Sequence, residues 1–137
     1  MEISTSREHA KRKRVLIVDD SAGFRGLLHW FLGTIPDVEI VAEASDGEQA
    51  IEAAARTNPD LVLMDVRMPN LNGLQASKRI RTDGRPVRIL LLTAYGEAIP
   101  RWLAAEAGAD DVIDKSNLGE RLKEAVMAGA RVGDPSS

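Results

Sequence analysis

Apolar and polar positions alternate along the chain in two rhythms. Short runs that are apolar on both faces read as buried parallel strands, and longer stretches with apolar residues at spacings 0, 3, 4 and 7 read as helices. Val15–Val18 is the first such run. From Ser21 to about Leu32, Phe24, Leu27, Leu28 and Phe31 form a helix face, with Gly33 as its stop. Val38–Ala42 is a second strand. Ser45 and Glu48 fit a capping box opening a helix through about Arg56, which Asn58-Pro59 ends. Leu61–Met64 is a third strand. A helix from about Leu71 to Arg81 follows, turned by Asp83-Gly84. Val87–Leu92 is the fourth strand. The next helix begins near Ile99-Pro100 and runs to about Ala107, with Gly108 as its C-cap and with Trp102 and Leu103 facing the core. Asp111–Asp114 is a short fifth strand. Leu118, Leu122, Ala125 and Val126 mark the apolar face of a last helix.

Strands and helices that alternate this regularly, with short connections, require right-handed crossovers. The prediction is an α/β domain: a doubly wound, five-stranded parallel sheet with helices on both faces. Ligands of such sheets bind beyond the carboxyl ends of the strands, where the strand order reverses.

The residues at those ends are not apolar. Strand one ends in Asp19 and Asp20, strand three in Asp65, strand four in Thr93 and strand five in Lys115. Three carboxylates in one place repel one another unless some stay protonated or a cation joins them. A hard divalent ion such as Mg²⁺ suits an all-oxygen site of this kind. Lys115 adds a point charge and Thr93 a hydroxyl donor. A carboxylate beside a metal, a lysine and a hydroxyl is equipped for phosphoryl transfer, with the carboxylate as nucleophile. Taken singly, each residue has an ordinary explanation. An acid after a strand is commonly a helix N-cap, and a lone lysine there carries no meaning. The set is more informative than its members.

The stretches VLIVDDS, LVLMDVRMPNLNG, LLTAY and AGADDVIDK together resemble the response-regulator receiver domains (CheY-like family) of two-component signalling, from about Arg14 to Met127. The resemblance implies strand order 2-1-3-4-5. It implies that Asp65 is the phospho-acceptor, and that Asp19, Asp20, Asp65 and the backbone carbonyl of Arg67 hold Mg²⁺, one acid of the pair through water. Thr93 would bond a phosphoryl oxygen, Lys115 would pair with the phosphoryl group, and Gly73 would permit the turn closing the Asp65 loop. The implied donor is a sensor histidine kinase or histidine phosphotransfer protein. The implied result is a conformational switch on an output surface, in a monomer or phosphorylation-dependent homodimer. A receiver of this kind is not an enzyme with an external substrate, though it catalyses its own phosphorylation and dephosphorylation.

Several residues depart from the family's pattern. Val112 stands where many receivers have an aromatic residue, and Ser116 where many have proline. Arg67 and Tyr95 are bulky residues at positions flanking the phosphoryl group, where they either shield it or face solvent. Trp30 falls off the apolar face of the first helix, which makes it a candidate partner contact. His29 has no second ligand residue at helical spacing. Asp114 alternates away from the site.

Bulk properties narrow the partners. The 137 residues suit one domain, read as a receiver over 14–130 with flexible tails at 1–13 and 131–137. The formal net charge of -3 implies no general affinity for nucleic acid or a membrane surface, and the basic cluster Lys11–Arg14 reads as a solvated lead into the first strand. The absence of cysteine excludes thiolate metal sites and fits a cytoplasmic setting. A flavin binder on a similar fold would need a phosphate-cradling glycine loop, which is missing. An aspartate-nucleophile phosphatase would need room for a substrate cap. The remaining alternative is the receiver of a helix-turn-helix transcriptional regulator, whose DNA-binding domain is absent from this chain.

Overall fold

The computed structural model describes residues 12–94 and 98–128. Five strands, β1 (Lys13–Val18), β2 (Val38–Ala44), β3 (Leu61–Asp65), β4 (Arg88–Thr93) and β5 (Asp111–Asp114), form one parallel sheet in the order β2-β1-β3-β4-β5. Among the described residues, four helices connect them, α1 (Ala22–Gly33), α2 (Gly47–Thr57), α3 (Gly73–Thr82) and α4 (Arg101–Glu106), and a fifth, α5 (Leu118–Met127), follows β5. None is long and apolar enough to cross a membrane.

Strand side chains alternate between two cores. Val15, Ile17, Leu61, Leu63, Leu90, Leu92 and Ile113 meet Leu28 and Leu32 of α1 and Leu118 and Leu122 of α5. Leu16, Val18, Val62, Met64, Ile89 and Leu91 meet the alanines of α2, with Ala76 and Ile80 of α3 and Ala104 of α4. Both faces are covered, which is why the central runs carry no polar residue. The order reverses at β1, which pairs with β2 on one side and β3 on the other. The crevice therefore opens above Val18 and Asp65.

Several local expectations change. Leu27 is 44 % exposed, and Phe24, Leu28, Phe31 and Leu32 form the inward stripe of α1. The cap of α2 is Asp46 rather than Ser45: Asp46 Oδ1 accepts from Gln49 N–H at 2.8 Å, while Gln49 Oε1 accepts from Ser45 N–H. Pro100 sits at the N-cap of α4, one place before the helix. Trp102 is 68 % exposed and Ala104 faces the core, because α4 is only six residues long and buries one narrow stripe. Lys13 and Arg14 belong to β1 and serve helix ends. Lys13 Nζ donates to the carbonyl of Val126 in α5, and Arg14 Nη1 donates to those of Thr57 and Asn58 at the end of α2. Cations at helix C-termini satisfy carbonyls that have no partner within the helix. Residues 1–11 of the expected N-terminal tail, the expected tail at 131–137 and Tyr95 lie outside the described residues.

Candidate functional site

Each strand ends at the same edge with a different group. After Val18 the chain leaves the sheet, and Ser21 caps α1 by accepting from Phe24 N–H at 3.1 Å. Asp19 is buried at the base of this turn, and Asp20 points outward and is exposed. Asp19 is held from several sides. Its Oδ1 accepts from Ser21 N–H at 2.8 Å and its Oδ2 from Lys115 Nζ at 2.9 Å. Its carbonyl accepts from Arg25 Nη1 at 2.5 Å.

Asp65 closes β3 and is 6 % exposed. It pairs in register with Leu92, one residue before the buried Thr93. Lys115 opens a 3-10 turn just past β5, and its Nζ lies 3.5 Å from Asp65 Oδ1. Asp114 turns aside to cap that turn, accepting from Ser116 N–H and Oγ–H.

One oxygen each from Asp19, Asp20 and Asp65 lies within 4.8 Å of the others, a spacing that one divalent cation can span. The electrostatics point the same way. The carboxyl of Asp65 is pushed up to about 6, first by burial and then by Asp19, against the opposing pull of Lys115; Asp20 raises it further. The site carries more negative charge than its one lysine balances, so these residues fit Mg²⁺.

The loop after Asp65 is fixed by a close approach. Gly73 N–H donates to Val66 O at 2.8 Å, and a Cβ on Gly73 would stand 2.3 Å from Asp65 O. The φ of Gly73 is not in the left-handed region; the requirement is space against the Asp65 carbonyl rather than a turn conformation. Asn72 and Gln75 cap α3 reciprocally at this point. Arg67 is exposed and lines, with Asp20, Met68, Asn72 and Ile99, an open groove of about 600 Å³ beside the acids.

Two contacts had no signal in the residue pattern. Phe24 places its ring under Lys115, with Nζ 4.0 Å from the ring centroid. Arg25 links Asp19 to β2 by donating from Nε to Glu43 Oε1 at 2.9 Å. Glu43 also meets His29 Nε2, and the His29 contact, with Arg25, holds its carboxyl below the usual range despite some burial. Val112 is half-buried against the α2–α4 core, and Trp30 is 65 % exposed with its ring edge-on to Phe31.

Comparison with known proteins agrees with this geometry. The model of the response regulator receiver domain matches residues 15–127. A protein-glutamate methylesterase/protein-glutamine glutaminase of Geobacter metallireducens is 44 % identical over 99 residues, covering 70 % of this chain and 28 % of that protein. The transcriptional regulatory protein LiaR of Bacillus subtilis is 33 % identical over 122 residues, 89 % of this chain and 57 % of LiaR. The chain thus spans from about a quarter to somewhat over half the length of such relatives. Among solved structures, the response regulator domain of Thermotoga maritima CheB superposes with a TM-score of 0.78 at 34 % identity, over 85 % of this chain and 95 % of that one. A LuxR-family two-component response regulator from Aurantimonas gives 0.78 at 32 % identity, over 91 % of each chain. By sequence and by fold, the chain belongs to the response-regulator receiver family, whose domains accept a phosphoryl group.

Proposed function

We propose that Asp65 is the residue that accepts the phosphoryl group, with Thr93 and Lys115 reading its presence. The observation that carries this reading is the convergence of Asp19, Asp20, Asp65 and Lys115 at one sheet edge, with the Asp65 carboxyl pushed up first by burial and then by its acidic neighbours. Receivers are served by a sensor histidine kinase or a histidine phosphotransfer protein. An oxygen of Asp65 attacks phosphorus, the P–N bond to the donor imidazole breaks, and its electron pair returns to the imidazole nitrogen. Asp19, Asp20, Asp65 and the Arg67 carbonyl would hold Mg²⁺, which when bound offsets the charge of the carboxylates and of the phosphoryl oxygens.

Lys115 starts paired with Asp19 and lies 0.6 Å farther from Asp65, as 2.9 and 3.5 Å show. An incoming phosphoryl group draws it across. Thr93, on the neighbouring strand, donates its hydroxyl to a phosphoryl oxygen. With Val112 half-buried in place of an aromatic residue, the movement of Thr93 passes to the output surface by repacking of the α4–β5 side of the core. Arg67 shields the acyl phosphate from water at the mouth of the groove. Arg67→Ala is expected to speed dephosphorylation, and an unchanged rate would remove Arg67 from this role.

The test is phosphotransfer from a labelled phosphohistidine donor to the wild type and to Asp65→Asn, with Mg²⁺ or EDTA. Label on the wild type alone, and only with Mg²⁺, supports the reading. Equal label on Asp65→Asn defeats it. Sedimentation before and after phosphorylation distinguishes a monomer from a phosphorylation-dependent homodimer.

A second reading makes the chain the receiver of a longer transcriptional regulator, carried by its similarity to LiaR. An antibody raised against this chain would then detect a native protein well above 14.9 kDa in the source cells. A native band near that mass would exclude it.

A further inference from the structure

Lys115 is held by more than its carboxylate partners. The side chain is 15 % exposed, and its Nζ meets Asp19 Oδ2 at 2.9 Å and Asp65 Oδ1 at 3.5 Å. The same Nζ lies 4.0 Å from the centroid of the Phe24 ring. That ring is fixed from below. Phe24 belongs to the first turn of α1, which the Ser21 cap anchors, and it packs against the core shared by α1 and α5.

A hydrogen bond to Asp19 binds Lys115 in one direction and is lost when the ammonium moves. Attraction to the negative face of an aromatic ring is less directional and survives a shift of the ammonium across that face. Lysine is a flexible side chain with a compact charge, so an ammonium leaving Asp19 would otherwise sample many positions. The Phe24 ring, its centroid 4.0 Å from the ammonium, stands where it can limit that spread.

We infer that Phe24 is a positioning residue for Lys115: its ring face holds the ammonium between Asp19 and Asp65, and so sets how fast Asp65 gains its phosphoryl group. The inference rests on the proposed role of Asp65 and Lys115. It differs from a purely structural role for Phe24, in which any apolar side chain of similar size would serve.

The test separates ring charge from ring size. Phe24 is replaced by phenylalanines carrying one, two and three ring fluorines, and separately by Leu and by Trp. Fluorine drains the negative face while keeping the apolar bulk. Urea unfolding checks that each variant folds. Two quantities are read: the proton shifts of the Lys115 ε-methylene by NMR without phosphodonor, and the phosphorylation rate with acetyl phosphate and Mg²⁺.

The wild type is expected to show the Lys115 ε protons shifted upfield by the ring, a shift that Phe24→Leu loses and Phe24→Trp keeps. The rate is expected to fall stepwise with fluorination, by about threefold to tenfold overall, to fall similarly in Phe24→Leu, and to be retained in Phe24→Trp. Equal rates across the fluorinated series, or ε-proton shifts that ignore the ring, would overturn the inference. A wild type that takes no phosphoryl group at all fails the broader reading. A wild type that takes it while the series stays flat fails this inference alone.

Discussion

Removing the charge of Asp65 should make the metal-free protein more stable. The folded structure raises this carboxyl from 3.8 to about 6, because it is buried among other acids. In the unfolded chain it returns to its ordinary value, so between these two values the folded state binds the extra proton. Stability therefore falls as pH rises through this window, and the penalty is complete above about 6. At ~1.4 kcal/mol per pH unit, the shift corresponds to about 3 kcal/mol at neutral pH. Asp65→Asn keeps the size of the side chain and removes the titration. In urea unfolding with EDTA at about pH 7.5, the variant should be more stable than wild type by about 2–3 kcal/mol. At about pH 4.5, where most of the folded Asp65 is protonated, the gap should shrink to about 1 kcal/mol. Mg²⁺ should stabilise the wild type more than the variant and close the gap from the other side. A variant that is less stable than wild type at neutral pH, or a gap that does not shrink on acidification, would refute this electrostatic account of the site.

Other perturbations test separate parts of the structure. Gly73→Ala forces a Cβ to within 2.3 Å of the Asp65 carbonyl unless the loop moves. It should cost about 1–3 kcal/mol in urea unfolding and slow phosphorylation as the loop shifts; an unchanged rate would show that the loop tolerates the displacement. Lys115→Ala removes a cation that opposes the rise of the Asp65 carboxyl and that competes for Asp19. The carboxyl should rise further by NMR titration, and Mg²⁺ should bind more tightly by calorimetry. Arg81 donates to the carbonyls of Val87 and Gly108 and pairs with Asp110 at 3.0 Å, joining α3 to the loops beside β4 and β5. Arg81→Ala should cost about 2 kcal/mol by urea unfolding while leaving phosphorylation of the folded protein intact.

The site was more legible in the sequence than its supports were. The apolar runs of β1, β3 and β4 stop at a candidate site residue, because the stretch of a parallel strand buried on both faces carries no charge. Asp65 after LVLM therefore stands out, and Lys115 directly follows the short β5. Phe24 and Arg25 do not. Phe24 satisfied the helical apolar spacing, and nothing in one sequence shows that its ring lies under a residue 91 positions away, at 115. Leu27 and Trp102 misled for the opposite reason: apolar spacing marks a stripe, and the width that is buried depends on neighbouring elements. α4 covers the sheet with alanine, leaving its tryptophan outside. The α2 cap was misread by one residue because Ser45 and Asp46 are both good caps, and the geometry selects the one whose carboxylate reaches Gln49 N–H.

The most direct test of the central claim is the intact mass of the protein after incubation with acetyl phosphate, followed by peptide mapping. The account predicts the gain of one phosphoryl group in the presence of Mg²⁺, located on the peptide that contains Asp65, absent with EDTA and absent from Asp65→Asn. A phosphoryl group found on another residue, or an equal gain by Asp65→Asn, would contradict it.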